Sequence, residues 1–281
     1  MISMFVADTH VHLLGSEKPS EVEASMDKAG VDLLVVIAPY KQTFMPQGRV
    51  SCANIKSVRM GNDFVANLVK NLPDRLKGYA FITGLGGVEE NLRELERAIQ
   101  DLGLHGVKMF PNLGWYPDDP KMDPIYELIE DLGVPILFHS GVVPWISDIH
   151  GQGPLLSKYS RPVYYEGVVR RFPKLKIILA HMSWPWFMEA ITVAYLTPNI
   201  YLDLCTDFTT ATTRLKEEAL KMALETIGVE RLLYASDATP LGWEYMREHL
   251  DRTVKLLRRL KVSEEDIAKI LGGNARKLFK L

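Results

Sequence analysis

The sequence predicts a (β/α)8 barrel formed by a single domain over residues 1–281. Three observations lead to this prediction. The chain has 281 residues, 47% of them hydrophobic, so it can bury the core of one large domain. Eight short apolar segments alternate with helical segments, and no Gly/Ser-rich or highly charged stretch divides the chain. A closed barrel of eight such repeats typically takes roughly 250 residues.

The eight strand segments are short, apolar and rich in β-branched residues, which is typical of buried parallel strands. They cover residues 5–12, 31–39, 76–84, 105–110, 135–140, 176–181, 200–205 and 231–237. One strand with its crossover helix takes about 30–40 residues, as a βαβ unit requires.

Helical segments lie between these strands. Residues 91–103 place leucines on one face and end at Gly103, and residues 123–133 begin with Pro124 and end at Gly133. The same periodicity predicts helices over residues 163–172, 186–196, 213–228, 245–260 and 264–271. An open doubly wound sheet is the alternative fold, but it usually carries a glycine-rich nucleotide loop after its first strand. The only similar motif, GLGG at 84–87, follows the third strand and predicts a turn.

Composition limits the classes of function. A net charge of −2 and a pI near 6.4 give no reason to expect a nucleic-acid or membrane partner. No apolar run reaches the roughly 20 residues of a membrane span, and no signal-peptide pattern is present. The two cysteines, Cys52 and Cys205, form neither a CxxC motif nor a disulfide framework. We therefore expect a cytoplasmic protein that acts on a small molecule.

The first strand carries an unusual motif, DTHVH, at residues 8–12. Side chains two apart on a strand share a face, so Asp8, His10 and His12 project together. An edge strand with one solvated face would explain this pattern. A pair of metal ligands would explain it as well, because buried polar groups need partners.

Other strands also end in residues able to bind metal or substrate. Active sites of (β/α)8 barrels lie at the carboxyl ends of the strands. The residues at these ends are His10, His12, Lys108, His139, His181, Asp203 and Asp237. Together they indicate one functional site.

Five motifs resemble the amidohydrolase superfamily, in the group that includes aminocarboxymuconate-semialdehyde and γ-resorcylate decarboxylases. These motifs are DTHVH, FHS, LAHMS, YASD and GGNARKLF, and they extend from Asp8 to Phe279. The resemblance implies one divalent metal ion held by His10, His12, His139 and Asp237. It also implies that His181 stands beside the metal as an acid–base or substrate-orienting residue.

Imidazole and carboxylate ligands suit zinc best, while manganese, iron or cobalt would also fit. Such an ion lowers the pKa of a bound water towards 7. Asp237 could then both bind the metal and accept the proton of that water, and His181 could protonate a leaving group. Asp8 is expected to support a ligating histidine or to be a structural partner. Asn274 is expected to cap the last short helix.

Lys108 ends the fourth strand, where binuclear members of the superfamily carry a carbamylated lysine. If it is carbamylated, Lys108 and His181 would hold a second ion. A single metal is usual in the group that the chain resembles, so we expect Lys108 to form a charge pair or to bind a substrate anion instead.

Loops at the same end of the barrel suggest further substrate contacts. Arg161 and Arg49 could bind a carboxylate together with Lys108, and Trp145 lies in a loop long enough to form a lid. We expect His150, in the same loop, to lie at the surface. The remaining aromatic residues of these loops are Trp115, Tyr116, Trp184 and Trp186, which line a pocket or anchor the loops.

These residues support two reactions. The first is hydrolysis of an amide, ester or lactone by a metal-activated water, and the alternative is metal-dependent decarboxylation of a small aromatic or dienoic acid. A non-enzymatic metal-binding barrel is the third possibility. By resemblance, the chain is expected to form a homodimer.

Overall fold

The computed structural model describes residues 4–38, 55–143, 155–205 and 213–281. Within them, eight parallel strands follow one another around a single sheet in the order of the sequence, which confirms the predicted (β/α)8 barrel. The strands are β1 (Ala7–His12), β2 (Leu33–Ile37), β3 (Leu76–Phe81), β4 (Gly106–Met109), β5 (Ile136–Phe138), β6 (Ile177–Leu179), β7 (Ile200–Asp203) and β8 (Leu232–Leu233). Each lies inside its predicted segment and is shorter, so that His139, His181 and Asp237 fall beyond the ends of their strands.

Helices surround the sheet. They are α1 (Pro19–Ala29), α2 (Ile55–Asn71), α3 (Val88–Glu96), α4 (Asp123–Leu132), α5 (Val163–Arg171), α6 (Phe187–Leu196), α7 (Thr213–Ile227), α8 (Trp243–Arg259), α9 (Glu264–Ala268) and α10 (Asn274–Phe279). The sequence analysis missed α1 and α2. The signals for α1 are nevertheless present, since Pro19 occupies its first turn and Gly30, with φ of 71°, ends it. No helix of the described ranges is both long and apolar enough to cross a membrane.

Backbone contacts between the first and last strands bring the barrel close to full closure. The amide of Thr9 donates to Tyr234 O at 3.1 Å, and the amide of His12 donates to Ala238 O at 2.8 Å. Between them, the amide of Asp237 donates to His10 O at 2.9 Å. These bonds place the end of β8 beside the histidines of β1.

The amino-terminal end of the barrel is filled by an apolar cluster. It joins inward-facing side chains of six strands to α10, the final helix. The ring of Tyr79 meets that of Phe279 edge-on at 5.7 Å, and the Tyr79 hydroxyl donates to Thr9 O at 3.2 Å. The polar residues lie at the opposite, carboxyl end of the strands.

Asn274 does not cap the last helix, so that prediction is wrong. Its backbone is already helical, and its buried side chain points away from the helix end. The amide nitrogen donates to Val229 O at 2.7 Å and Leu232 O at 2.9 Å. Asn274 therefore attaches α10 to the start of β8.

His249 on α8 couples the stability of the barrel to pH. Its side chain is 1% exposed and packs near the rings of Tyr234 and Tyr245. Burial lowers the pKa of His249 from 6.5 to about 3, and the positive charges of Lys216 and Arg252 act in the same direction. The folded protein thus keeps His249 neutral where the unfolded chain would protonate it.

We predict that the stability contributed by neutral His249 is complete above pH 6.5 and decreases as the pH falls towards 3. Between pH 7.5 and pH 5, this residue should account for about 2 kcal/mol of lost unfolding free energy. Urea unfolding at both pH values measures the loss in the wild type and in His249→Leu. The variant should lose about 2 kcal/mol less, and equal losses would contradict the prediction.

Candidate metal centre and active site

His10 and His12 alternate along β1 and project into the barrel, and both are buried. Asp8 is buried as well, but an irregularity in the pairing with β2 separates it from the two histidines. The edge-strand alternative is therefore wrong. Asp8 Oδ1 accepts hydrogen bonds from the backbone amides of Ser236 at 2.9 Å and His10 at 3.3 Å. This carboxyl therefore binds backbone groups rather than an imidazole. Burial raises the pKa of Asp8 to about 7, against the opposing effect of the hydrogen bonds from Ser236 and His10.

Three potential ligand atoms converge at the carboxyl ends of β1 and β8. The Nε2 atoms of His10 and His12 lie 3.1 Å apart. Asp237 Oδ1 is 3.1 Å from His12 Nε2 and 3.4 Å from His10 Nε2. Asp237 reaches this position through a left-handed backbone with φ of 59°, a strained conformation of a kind that concentrates at functional sites.

The protonation states of these groups suit a cation. Burial lowers the pKa of both His10 and His12, so their imidazoles are neutral at pH 7. Burial alone would raise the pKa of Asp237, but His10, His12 and His181 lower it below its ordinary value. Two neutral imidazoles and one ionised carboxylate are the forms in which these residues bind metal.

Asp203, at the end of β7, anchors the imidazole of His10. The Asp203 carboxylate is fully buried, and its Oδ2 is 2.9 Å from His10 Nδ1. A carboxylate can only accept, so Nδ1 carries the proton and Nε2 presents a lone pair towards His12 and Asp237. The sequence analysis expected Asp8 to support a ligating histidine or to be a structural partner, and the second of these agrees with its bonds to backbone amides. In the structure, Asp203 hydrogen-bonds to the imidazole of His10, whereas Asp8 hydrogen-bonds to backbone amides.

His181 projects into the site from a strained turn after β6. His181, Met182 and Ser183 have φ of 61°, 46° and 59°, three consecutive non-glycine residues in the left-handed region. The His181 amide donates to Asp203 Oδ1 at 2.6 Å. Its Nδ1 lies 3.2 Å from Cys205 O, which leaves Nε2 as the atom able to exchange protons.

The imidazoles of the site form a continuous group. Ring centroids of His10 and His181 are 5.4 Å apart, and those of His181 and His139 are 5.0 Å apart. His139 Nε2 is buried and has no hydrogen-bond partner in the described part of the chain. It lies outside the compact group of His10, His12 and Asp237. An unpaired buried nitrogen beside that group is consistent with a metal ligand.

Lys108 is 3% exposed, and its Nζ lies 3.3 Å from His10 Nε2. Because an ammonium group can only donate, this contact agrees with a lone pair on Nε2. Burial lowers the pKa of Lys108 to about 8, against the opposing effect of Asp237 and Asp203. Most of the lysine is therefore protonated at pH 7. Its binding of a substrate anion stays a prediction.

A second group could also supply metal ligands, namely His10, His181 and Cys205. In this group, however, His10 Nδ1 is bonded to Asp203, and His181 Nδ1 is bonded to Cys205 O. Burial also raises the pKa of the Cys205 thiol, which opposes the thiolate that a metal requires. The His10, His12 and Asp237 group is therefore the better candidate site for a divalent metal.

The predicted substrate residues outside the histidine cluster have structural contacts. Arg161 forms an ion pair with Glu189 at 2.7 Å and lies 5.1 Å from the centre of the Trp186 ring. Trp115 is buried and donates to Thr83 O at 3.0 Å, so it belongs to the core. Among the other residues named in the sequence analysis, Trp145, Arg49, His150 and Cys52 lie outside the described residues.

The sequence analysis named Asp203 as a strand-end residue without assigning it a role. It named Cys205 without placing it in the site. The spacing Asp203-Leu204-Cys205 could have indicated both, because alternate residues at a strand end share a face.

The chain is similar to several known proteins. A family model described as Amidohydrolase matches residues 7–281. γ-Resorcylate decarboxylase of Polaromonas sp. is 27% identical over 91% of this chain and 85% of its own length. The 2-amino-3-carboxymuconate-6-semialdehyde decarboxylase of Dictyostelium discoideum is 28% identical over 78% of this chain and 65% of its own.

Solved structures show the same fold. The 5-carboxyvanillate decarboxylase of Sphingomonas paucimobilis has a TM-score of 0.72 at 20% identity and covers 99% of each chain. A dihydroxybenzoic acid decarboxylase of Polaromonas sp., solved with manganese and the inhibitor 2-nitroresorcinol, has a TM-score of 0.68 at 22% identity. That match covers 99% of this chain and 97% of the other.

We predict that His12→Ala abolishes binding of one equivalent of Mn²⁺ or Zn²⁺, because it removes one of the converging Nε2 atoms. Metal content after dialysis against each ion, measured by plasma mass spectrometry, tests this. His105→Ala is the matched control, since His105 immediately precedes β4 at the opposite end of the barrel. Retention of a full equivalent by His12→Ala would exclude it as a ligand.

Proposed function

This chain belongs to the amidohydrolase family, and on that basis we propose that it is a metal-dependent, non-oxidative decarboxylase of a small aromatic or dienoic carboxylic acid. The sequence analysis ranked hydrolysis first, and that prediction is wrong. The curated relatives that match along most of the chain are decarboxylases. Hydrolysis and decarboxylation use the same residue types, so the motifs alone did not distinguish the two reactions.

The observation that carries this proposal is the arrangement of charge around the converging ligands. Lys108 contributes a buried positive charge beside His10, and Asp203 and Asp237 contribute two negative charges. Adding a divalent cation leaves an excess of one positive charge. A buried site with this excess favours a ligand with a single negative charge, such as a carboxylate.

We propose His10, His12, His139 and Asp237 as the metal ligands. The donor set of imidazole nitrogens and a carboxylate oxygen suits manganese as well as zinc. When bound, the ion would orient the substrate and withdraw electron density from it. The manganese in the related structure from Polaromonas sp. makes this metal the first to test.

The reaction replaces the carboxylate of the substrate with hydrogen. The bond between the carboxylate carbon and its neighbour breaks, CO₂ leaves, and the electron pair of that bond takes a proton. In its imidazolium form, His181 is the proposed proton donor to carbon through Nε2, because its Nδ1 proton is held by Cys205 O. The donation leaves His181 as a neutral imidazole with its proton on Nδ1. Asp237 is ionised at neutral pH and serves as a ligand. Lys108, beside His10, interacts with the negative charge of the substrate as that charge moves out of the carboxylate.

Release of CO₂ from a panel of acids tests the proposed function. The panel contains hydroxylated benzoates, including 2,6-dihydroxybenzoate, and conjugated dienoic acids, each assayed with Mn²⁺ and with Zn²⁺. We expect metal-dependent CO₂ release from at least one member. Lactones and esters of similar size serve as controls. Metal-bound protein that releases no CO₂ from any acid would contradict the proposal.

We predict that His181→Gln lowers the rate of decarboxylation by about 100- to 10,000-fold, the range expected for loss of a general acid. Metal content should stay at the wild-type level, because Nε2 of His181 is not among the proposed ligands. The half-buried His105, changed to Gln, provides the control. A rate within a few fold of the wild type would exclude His181 as the proton donor.

A further inference from the structure

Asp203 is the carboxylate through which the metal site and the proposed proton donor are connected. We propose that Asp203 is a positioning residue that fixes the tautomer of His10 and the backbone of His181, and thereby sets the metal affinity of the site. This inference rests on the metal-binding role given to His10 in the proposed function. The inference adds Asp203 to the residues of the proposed function, as a residue that touches neither the metal nor the substrate.

The first part of the argument concerns Oδ2 of Asp203. This oxygen accepts from His10 Nδ1 at 2.9 Å, and both side chains are buried. On the other side of the ring, Lys108 Nζ donates to His10 Nε2 at 3.3 Å. The two contacts require the same tautomer, with the proton on Nδ1 and the lone pair on Nε2.

The second part concerns Oδ1, which meets only donors. It accepts the His181 amide at 2.6 Å and the Cys205 thiol at 2.8 Å. The His181 amide belongs to the left-handed turn that directs the imidazole into the site. One oxygen of Asp203 therefore binds the turn that follows β6, and the other binds the imidazole of His10 on β1.

An asparagine cannot replace Asp203 in this arrangement. Both oxygens of Asp203 face donors, whereas an amide has one accepting oxygen and one donating nitrogen. If the amide oxygen stays with the His181 amide, the NH₂ group faces His10 Nδ1. His10 must then move its proton to Nε2, where a metal ligand needs a lone pair. The opposite orientation places the NH₂ group against the His181 amide and the Cys205 thiol.

Asp8 provides a matched control for this substitution. It is also a fully buried carboxyl on a strand of the same barrel. Its bonds differ, because one oxygen takes the backbone amides of both His10 and Ser236. Asparagine at position 8 can accept the same two bonds through its amide oxygen. Asp8→Asn therefore removes a buried carboxyl without changing the partner of an imidazole.

The test titrates metal-free wild type, Asp203→Asn and Asp8→Asn with Mn²⁺ in competition with a chelating indicator. We expect Asp203→Asn to bind Mn²⁺ about 10- to 100-fold more weakly than the wild type. Asp8→Asn should stay within about threefold of the wild type, less than the smallest loss expected for a partner of a ligating histidine. Circular dichroism confirms that each variant is folded.

Each outcome of the titration has a definite meaning. Wild-type affinity in Asp203→Asn would overturn this inference and leave the proposed function intact. An equal loss in both variants would also overturn it, because the effect would then follow from removing any buried carboxyl. A wild type that binds no Mn²⁺ or Zn²⁺ would overturn the proposed function together with the inference.

A second measurement needs no substitution of Asp203 and so does not depend on its folding. In the metal-free wild type labelled with ¹⁵N-histidine, the nitrogen shifts of His10 report which ring nitrogen carries the proton. Comparison with His10→Gln assigns the signal. We expect the Nδ1–H tautomer before any metal is added. The Nε2–H tautomer would overturn the inference even if Asp203→Asn proved unstable.

Discussion

Desolvation at the carboxyl end of the barrel determines the chemistry of this protein. His10, Lys108, His181 and Asp203 all lie almost completely out of solvent, on four different strands or the turns that follow them. Such groups are stable only if each donor meets an acceptor, because an unpaired buried polar group is costly. The hydrogen bonds that satisfy this requirement also fix which nitrogen of His10 and of His181 carries a proton. Stability and reactivity thus depend on the same contacts.

The barrel separates stability from function along its axis. Tyr79 and Phe279 belong to an apolar cluster that fills the amino-terminal end, where side chains pack without charge. The polar cluster occupies the other end, where Asp237 and the His181 turn adopt left-handed backbone conformations. Strained residues persist only where the surrounding structure holds them in place. The closely packed apolar cluster at the amino-terminal end of the barrel supplies that rigidity.

Local patterns in the sequence were sufficient to predict the strands and the converging residues of β1 and β8. The alternation in DTHVH requires that His10 and His12 share a face, and the barrel brings Asp237 beside them. Long-range pairings were not predictable in this way. The bond from Asp203 to His10 joins residues 193 positions apart. Asn274 followed the pattern of a helix cap, but its side chain bonds to carbonyl groups near β8.

The order of the two candidate reactions could not be predicted either, because the same metal ligands serve both. The movement of negative charge during decarboxylation gives a physical criterion for the role of Lys108. In decarboxylation, negative charge leaves the carboxylate and moves onto the adjacent carbon, while the departing CO₂ is neutral. An ammonium group that held only the carboxylate would stabilise the substrate more than the transition state, which would slow the reaction. Under the proposed function, Lys108 must therefore act on the charge as it moves into the rest of the substrate. Lys108 is buried beside His10, one of the proposed metal ligands, and this position suits that role better than a position at the solvent-exposed edge of the site.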